Sequence, residues 1–354
     1  MNRLHVIIPA GGVGSRLWPL SRKDRPKFLL DLRMSGKSLL QETIDRLAPI
    51  AASFTIVTGR AHEQAVRAQI PQGLDITVLV EPQGRDSMPA IGLAAYVIRQ
   101  RFGDEAPIAS FAADHAITHP QVLLDCVERA LEVAQKGYVV TIGLRPLNPS
   151  TAYGYIAPGE PFEMESPEKG SIVRSFVEKP DEETAKQYCE QGYLWNAGMF
   201  IMTAGTLARA LTRFHPDMDS HLSAIGSQWG SESFAQTLSE EWPTLTKIAI
   251  DHAVAEPLAS EGGVAVVPAT DMGWTDVGDF DALAQISSEG QALRIDSPDS
   301  FVRSLTGQKI VLVGAPNMAV IATEDAILVV DRNRAQDVKH VVDQLTQSGE
   351  EELL

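Results

Sequence analysis

Residues 9–27 read PAGGVGSRLWPLSRKDRPK, and they follow the short apolar run Leu4–Ile8, which predicts a buried strand. Three glycines fall within the four positions Gly11–Gly14. Because glycine has no Cβ, backbone N–H groups in such a loop can close around phosphate oxygens. Residues 16–27 carry five cations against one carboxylate, although the whole chain has a formal net charge of −16. A basic glycine loop on an acidic protein therefore predicts a local anion site.

The composition indicates a globular protein rather than a membrane or nucleic-acid-binding one. The 354 residues are 44% apolar and 21% charged, which are ordinary values. The sequence has no run of about 18 apolar residues and no signal-peptide apolar region before the first strand, so we expect no membrane partner. An isoelectric point near 4.9 argues against nucleic acid. Cys126 and Cys189 fall in predicted helices and indicate free buried thiols, so we predict a reducing, cytoplasmic compartment.

The first half of the chain alternates strand-like and helix-like segments. This alternation predicts a mostly parallel sheet with helices on both faces, and ligands bind beyond the carboxyl ends of the strands in such sheets. The glycine loop follows the first strand, so we expect it at that edge. Ser38 with Gln41, and Thr118 with Gln121, match capping boxes that start two helices. The predicted strands are Leu4–Ile8, Phe54–Thr58, Ile76–Val80, Ile108–Phe111 and Tyr138–Gly143, and the predicted helices are Ser38–Ala48, Ala61–Ile70, Ser87–Arg101 and Pro120–Lys136.

The pattern changes after Pro146 and again from Ala292, and we therefore divide the chain into a domain of residues 1–290 and a C-terminal module of residues 291–354. Short strands separated by turn residues predict a few coils of a β-helix or a sandwich fragment in the second part. A simple cap on the large sheet is the alternative. We expect the acidic segment Glu350–Glu352 to be frayed. The segments predicted after Pro146 are the antiparallel strands Tyr153–Ala157 and Ile172–Val177, the helices Asp181–Gln191 and Thr203–Arg213, the module strands Ser300–Ser304, Lys309–Val313, Met318–Ala322 and Ala326–Val330, and the helix Asp337–Leu345.

Two common phosphate-binding motifs do not fit the glycine loop. A dinucleotide fingerprint needs a third glycine, but Leu17 occupies that position after Gly12 and Gly14. A P-loop ends in Gly-Lys-Ser, which residues 36–38 supply, but the position for its first glycine holds Asp31. A glycine turn without a ligand is the simplest alternative, and it leaves the five cations unexplained.

Four later positions suggest a metal and a sugar phosphate. Asp114 follows a predicted buried strand, and Asp276 lies in a turn bounded by glycine. Mg²⁺ is often held by one or two carboxylates plus substrate phosphates, so these two aspartates suffice if they meet at the strand ends. A buried Glu178–Lys179 pair can bind a polyol and a phosphate. Residues Trp195–Phe200 combine an aromatic face, an amide and a glycine, which together suit a pocket for a sugar. Taken singly, each is also explained as a cap, a surface pair or a packed turn.

Together these motifs resemble those of the sugar-1-phosphate nucleotidyltransferases. Residues Ala10–Ser21 with Pro26 and Lys27 resemble the family signature. The set is most similar to that of bacterial mannose-1-phosphate guanylyltransferases, and the resemblance covers nearly the whole chain. The further stretches that carry it are Glu81–Arg85, Phe176–Pro180, Trp195–Phe200, Ile250–Glu256, Gly273–Gly278, Thr323–Ala326 and Ala335–Lys339.

The resemblance implies transfer of GMP from GTP to mannose 1-phosphate, with Mg²⁺ as the cofactor. It implies an α/β fold, in which a Rossmann-like nucleotide-diphospho-sugar transferase domain with a mixed, mostly parallel sheet precedes a short left-handed β-helix. The residues that match the family's functional positions are the catalytic cations Arg16, Lys27 and Lys179, the nucleotide-binding residues Ala10, Gly11, Gly12, Gly14, Ser15, Glu81, Arg85 and Pro89, the sugar-binding residues Gly154, Glu178 and Asn196, and the metal ligands Asp114 and Asp276.

Several positions depart from the family pattern, since residues 85–90 read Arg-Asp-Ser-Met-Pro-Ala where the branch typically has Arg-Asn-Thr-Ala-Pro-Ala, and Met88 with Asp86 leaves the base and sugar preference open. Asp86 stands beside the expected base site where the branch typically has Asn, although an Asp can accept from guanine N1–H and the 2-amino group. Phe28 stands where many relatives carry Gln. A transferase for another base or hexose 1-phosphate is one alternative, and a non-catalytic sugar-nucleotide-binding subunit is another. The second should have lost the cations or the aspartates, and all are present.

The resemblance and the β module also suggest how many activities and subunits to expect. The chain lacks a phosphomannose isomerase extension, so we expect a single activity. Sheet edges of the C-terminal module would pair well across a two-fold axis, so we expect a homodimer.

Overall fold

The computed structural model describes residues 4–162, 169–287 and 292–354. The strands up to residue 287 are β1 (Leu4–Ala10), β2 (Ala51–Gly59), β3 (Ile76–Glu81), β4 (Pro107–Ser110), β5 (Ala116–Ile117), β6 (Val139–Leu144), β7 (Tyr155–Pro161), β8 (Ser171–Val177), β9 (Leu194–Thr203), β10 (Val264–Ala269) and β11 (Trp274–Thr275). Within the described ranges, nine of them form one sheet in the order β3-β2-β1-β4-β9-β6-β10-β8-β7, while β5 and β11 form a small separate pair.

The large sheet is parallel in its first part and mixed in its second. β1 pairs in parallel with β2 and β4, and β2 pairs in parallel with β3. In contrast, β9 runs antiparallel to β4 and β6, and β7 runs antiparallel to β8. The predicted α/β fold with a mixed, mostly parallel sheet is therefore confirmed, as is the antiparallel pair after Pro146. The glycine loop leaves β1 at the carboxyl edge of the parallel part.

Helices cover both faces of the sheet because alternate residues of each strand point to opposite faces. The helices are α1 (Leu39–Leu47), α2 (Glu63–Gln69), α3 (Ser87–Phe102), α4 (Pro120–Ala134), α5 (Glu182–Glu190), α6 (Ala204–Phe214), α7 (Pro216–Ser227), α8 (Phe234–Glu241), α9 (Glu256–Ala259), α10 (Phe280–Ile286) and α11 (Val338–Ser348). In β1, Ile7 packs with α3, whereas Val6 and Ile8 pack with α1 and α4. In the part of the chain that the structure describes, no helix combines the length and the apolar character that a membrane crossing requires.

One of the two predicted capping boxes is present. Ser38 Oγ accepts from the backbone N–H of Gln41 at 3.2 Å, and Gln41 Oε1 accepts from the backbone N–H of Ser38 at 3.0 Å. The box predicted at Thr118 and Gln121 is wrong, because α4 begins two residues later, at Pro120. The fixed φ of a proline suits the first helical position, and this sets the start of the helix without a side-chain cap.

The C-terminal module contains β12 (Ala292–Ile295), β13 (Phe301–Ser304), β14 (Ile310–Val313), β15 (Met318–Ala322) and β16 (Ile327–Asp331). β12 pairs in parallel with β14, and β13 with β15, at the same offset along the chain, as successive coils of a β-helix do. Phe301 and Ile321 of the module share a core cluster with Leu17 and Trp18 of the glycine loop. The predicted boundary between residues 290 and 291 lies outside the described residues.

The prediction of a frayed acidic segment at Glu350–Glu352 is wrong. Glu351–Leu353 forms a 3-10 turn, and Leu353 O accepts from Trp18 Nε1 at 2.7 Å and from the guanidinium of Arg22. The following residue, Leu354, is buried. Backbone carbonyl groups of Leu353 and Leu354, together with the Glu351 carboxylate, hold this segment against the glycine loop. Because most of these contacts are made by the backbone, the acidic composition did not reveal them.

Candidate active site

The glycine loop presents bare backbone and the guanidinium of Arg16 to solvent. Gly12 and Gly14 have φ values of 82° and 76°, in the left-handed region that favours glycine. Gly11 and Gly12 are exposed, and a Cβ on either would meet nothing within 4 Å. Ser15–Leu17 then forms a 3-10 turn. Arg16 in this turn is exposed, and its guanidinium makes no polar contact with the described part of the chain. These are the features of an anion-binding loop.

Two other cations of the loop bind protein groups instead. Arg22 is buried, and its guanidinium donates to Asp325 Oδ1 at 2.9 Å as well as to Leu353 O. Lys23 forms an exposed ion pair with Glu351 at 3.0 Å. Arg22 and Lys23 therefore tie the loop to the C-terminal module, so the charge available to an anion is smaller than the five cations suggested.

Lys27 lies at the centre of the site. Its buried side chain packs against Gly14, where a Cβ would lie 2.7 Å from Lys27 Cβ. The ammonium forms an ion pair with Asp114 Oδ2 at 2.7 Å and donates to Asp276 O at 2.6 Å. Burial raises the pKa of Asp114, but the nearby charge and hydrogen bond of Lys27 outweigh burial, so that this pKa lies below its usual value. The structure thus brings the two aspartates together at the strand ends.

Three side chains that the sequence motifs did not assign support the aspartates. Tyr153 Oη donates to Asp276 Oδ1 at 3.1 Å. Trp274 Nε1 donates to His115 Nδ1 at 3.2 Å, so this nitrogen is unprotonated. Burial lowers the pKa of His115, against the opposing effect of the two carboxylates. A neutral imidazole therefore lies beside both carboxylates, and Tyr153 fixes the orientation of one of them.

The donor set of this cluster fits Mg²⁺. Asp114 and Asp276 offer carboxylate oxygens, and Mg²⁺ is commonly held by one or two carboxylates completed by substrate phosphates. The Asp114 side chain is 31% exposed, so it can reach a ligand in the site. Across the described ranges, His, Cys, Asp and Glu side chains do not form any cluster of three or more that could hold a metal. A metal at this position would therefore depend on substrate oxygens.

A cavity of about 190 Å³ opens beside the cluster. The three predicted sugar-binding residues, Gly154, Glu178 and Asn196, all line it, together with Asp276. Gly154 has no room for a side chain, because a Cβ would lie 2.5 Å from Glu178 Oε2. The cavity is therefore polar on one side, with backbone close to its wall, as a site for a sugar requires.

Asp251 is a cavity residue that sequence reasoning missed. Asn196 Nδ2 donates to Asp251 Oδ1 at 2.7 Å, while Asn196 Oδ1 accepts from Thr141 Oγ1 at 2.9 Å and Gly198 N at 3.1 Å. These bonds hold the amide in one orientation. Burial, followed by the charge of Glu178, raises the pKa of Asp251 to about 6. Asp251 also begins a π-helical turn, a feature frequent at functional sites.

Lys179 directly follows Glu178, which lines the cavity, but is not itself a lining residue. Its ammonium pairs with Glu178, as predicted, but its side chain is 61% exposed, so the expectation of a buried pair is wrong for this residue. β8 ends at Val177, and the positive φ of Lys179, 46°, turns the chain after the strand. The ammonium therefore remains accessible to an anion that approaches the cavity.

Glu81 ends β3 at the same edge of the sheet, two strands from the glycine loop. Ala10 pairs with Thr58, and the next residue of β2, Gly59, pairs with Glu81. Glu81 is only 8% exposed, and its Oε2 has no hydrogen-bond partner in the described chain. Burial raises its pKa to about 7. A buried carboxylate with an unused acceptor is unusual in a folded protein and indicates a ligand.

The other predicted base-site residues take different positions. The guanidinium of Arg85 donates to Pro243 O at 2.7 Å and to Leu245 O, which leaves it engaged with the chain. Pro89 is buried in the first turn of α3. Asp86, which stands where the family branch typically has Asn, is exposed, has a φ of 68°, and accepts from Ser87 N at 2.8 Å.

Comparison with known proteins places these features in context. One family model, described as a nucleotidyl transferase, matches residues 5–292, and another, described as a MannoseP isomerase/GMP-like beta-helix domain, matches residues 290–345. A mannose-1-phosphate guanylyltransferase of Escherichia coli K12 is 35% identical over 365 residues, which cover 99% of this chain and 75% of that protein. One from Salmonella muenchen is 36% identical over 367 residues, with the same coverage. A solved structure from Thermus thermophilus, described as a mannose-1-phosphate geranyltransferase, has a TM-score of 0.82 and 32% identity and covers 98% of this chain and 100% of its own.

Proposed function

The chain belongs to the nucleotidyl transferase family, among the mannose-1-phosphate guanylyltransferases, and from this premise we propose that it transfers GMP from GTP to mannose 1-phosphate and releases pyrophosphate. The observation that carries the proposal is the position of Lys27. Its side chain packs against Gly14 of the exposed loop, and its ammonium reaches Asp114 and the wall of the cavity at Asp276. A triphosphate on the loop and a sugar phosphate in the cavity would therefore meet at one cationic centre.

The reaction needs neutralisation of charge more than proton transfer. An oxygen of the sugar phosphate is already anionic, so it can attack the α-phosphorus of GTP without a general base. The obstacle is repulsion between this phosphate and the triphosphate. Arg16 and Lys27 reduce it on the nucleotide side, and Lys179 reduces it on the sugar side. When bound by Asp114 and Asp276, Mg²⁺ would supply further positive charge to the phosphates. In-line attack then expels pyrophosphate directly.

The cavity residues hold the sugar in place for this attack. Glu178 and Asp251 are carboxylates that can each accept from sugar hydroxyl groups. Asn196 orients Asp251 through the bond from Nδ2 and has one further N–H for the ligand. Gly154 keeps the wall free of a side chain. The mannose ring would thus be fixed by hydrogen bonds on its polar edge, which supports the assignment of these residues to sugar binding.

Glu81 is the residue best suited to recognise the base. Its unpaired Oε2 can accept from guanine N1–H and the 2-amino group, which adenine and the pyrimidines do not present together. Ala10, Gly11, Gly12 and Ser15 supply backbone on the path from this carboxylate to Lys27. Because carbonyl groups of the chain occupy the Arg85 guanidinium and Pro89 is buried in α3, we assign both to the wall of the base site rather than to direct pairing.

The decisive experiment measures pyrophosphate release from GTP with and without mannose 1-phosphate in the presence of Mg²⁺. We expect release that depends on both substrates. Competition among GTP, ATP, UTP and dTTP, with mannose 1-phosphate and glucose 1-phosphate as alternative acceptors, tests the preference. Preferential use of another pair would assign the chain to a related transferase, and the absence of release with every pair would refute the catalytic proposal.

We also propose that the protein is a homodimer and works in the cytoplasm. The dimer is supported by an exposed aliphatic face on the paired strands β12 and β14, where Leu293 lies opposite Val311 and Ile295 opposite Val313. The cytoplasm is supported by two cysteines that form no disulfide. Light scattering at several concentrations tests the first statement, with a dimeric mass expected, and cell fractionation tests the second.

A further inference from the structure

We propose that Lys27 locks the metal site of the nucleotide-free protein, and that binding of a triphosphate opens it. The inference rests on the proposed function only in taking Asp114 as a metal ligand. It concerns the order of events: in the free protein, the Lys27 ammonium holds the carboxylate oxygen that a divalent cation would need, so that the cation binds tightly only after the nucleotide has bound.

The contacts of Lys27 make the competition direct. Its Nζ lies 2.7 Å from Asp114 Oδ2 and 2.6 Å from the backbone O of Asp276, so it already occupies the carboxylate of one predicted metal ligand and lies beside the other. The Lys27 side chain is only 9% exposed, and solvent therefore screens this ion pair weakly. A divalent cation on the same carboxylate oxygen would be close to the ammonium, and the two positive charges would repel each other. The metal must therefore displace the ammonium or bind against that repulsion.

The geometry of the loop explains how a triphosphate would release the lock. The backbone N–H of Lys27 donates to Val13 O at 3.0 Å, and its Cβ packs against Gly14, so Lys27 is anchored to the segment that would hold the phosphates. The ammonium has three N–H groups, and two are used by Asp114 and Asp276. Phosphate oxygens on the loop would attract the ammonium away from Asp114 and leave the carboxylate free. Nucleotide and metal would then each strengthen the binding of the other, as linkage requires.

The test measures Mn²⁺ binding to the full-length, nucleotide-free protein by the electron paramagnetic resonance signal of free Mn²⁺. If the lock exists, Lys27→Met should bind Mn²⁺ at least about tenfold more tightly than the wild type, because the variant lacks the positive charge that repels the cation. Lys23→Met is the matched control. It removes a positive charge from the same loop, but Lys23 pairs with Glu351 and does not touch Asp114, so we expect wild-type affinity. Lys27→Gln, which is neutral but keeps an N–H donor, replaces Lys27→Met if circular dichroism shows that variant to be unfolded.

Two outcomes with the lysine variants would overturn the inference. The first is a Lys27 variant that is folded and binds Mn²⁺ no more tightly than the wild type. The second is a Lys23→Met protein that gains as much affinity as the Lys27 variant, since the effect would then come from general charge. The variant Asp114→Asn distinguishes failure of the lock proposal from failure of the assignment of Asp114 as a metal ligand. If Asp114→Asn abolishes Mn²⁺ binding while the Lys27 variants leave it unchanged, the metal site stands and the lock is wrong. If Asp114→Asn binds like the wild type, both are wrong.

Discussion

As the pH rises, ionisation of Glu81 should lower the stability of the protein and raise its affinity for GTP. Replacement of Glu81 by Gln should remove both of these pH dependences. Burial raises the pKa of Glu81 from its ordinary value of 4.5 to about 7. Between these two values the folded protein holds a proton that the unfolded chain releases, so stability falls as the pH rises from 4.5 to 7 and then levels off. The difference between the two pKa values corresponds to roughly 3 kcal/mol of unfolding free energy. Because Glu81 is only 8% exposed, solvent does little to reduce this effect.

The stability assay is urea unfolding of the wild type and Glu81→Gln from pH 5 to pH 9. Gln carries no titrating proton, so the variant should gain stability relative to the wild type as the pH rises, by an amount approaching about 3 kcal/mol above pH 7. Glu105→Gln, a change at an exposed glutamate, is the matched control. Parallel pH curves for the wild type and Glu81→Gln would refute the claim that burial of this carboxyl opposes its ionisation.

The binding assay uses the same two proteins. Guanine N1–H and the 2-amino group need an ionised acceptor, so wild-type GTP affinity should fall about tenfold from pH 8 to pH 6, in step with the ionised fraction of Glu81. The ratio of wild-type to variant affinity isolates Glu81 from titration of the γ-phosphate, which affects both proteins. If that ratio stays constant with pH, Glu81 does not recognise the base through its carboxylate.

Three further changes test other parts of the site. Asp251→Asn should raise the KM for mannose 1-phosphate while leaving the Kd for GTP unchanged; a change in GTP binding alone would contradict a sugar role. Gly14→Ala should impair folding by more than about 1 kcal/mol in urea unfolding, because the new Cβ would lie 2.7 Å from Lys27 Cβ at a φ of 76°; wild-type stability would show that the loop can shift. Trp18→Phe keeps an aromatic ring but removes part of the buried indole and the N–H that binds Leu353 O at 2.7 Å, and should cost at least about 1 kcal/mol; an unchanged unfolding midpoint would contradict a stabilising role for this contact.

Much of the fold follows from local sequence signals. The strand before the glycine loop is a continuous apolar run, and β1 is buried on both faces, as strands within an α/β sheet are. The glycines at 12 and 14 occur where the backbone adopts a positive φ, and the capping box at Ser38 starts α1. In each case, the residues that specify the structure lie within a few positions of one another, so the pattern is visible without knowledge of distant partners.

The parts that could not be predicted depend on contacts between distant segments. Asp251 is held at the cavity by Asn196, which lies 55 residues earlier and donates to its carboxylate. No local sequence pattern links these two residues. Arg85 looked like a ligand-binding cation, but carbonyl groups of Pro243 and Leu245 occupy its guanidinium. A motif thus predicts which residues lie near a site better than it predicts which atoms remain free there.

The docking of the segment around Leu353 has a consequence for biosynthesis. Trp18 and Leu353 are 335 positions apart, so a nascent chain cannot form their hydrogen bond until residue 353 has left the ribosome. β1, β2 and β3 can pair long before that moment, because their residues are close in the sequence. The glycine loop would therefore gain its anchors at Leu353 after the sheet beneath it has formed. Nascent chains arrested before position 353 should then contain an ordered sheet with a loop that proteases can still cut.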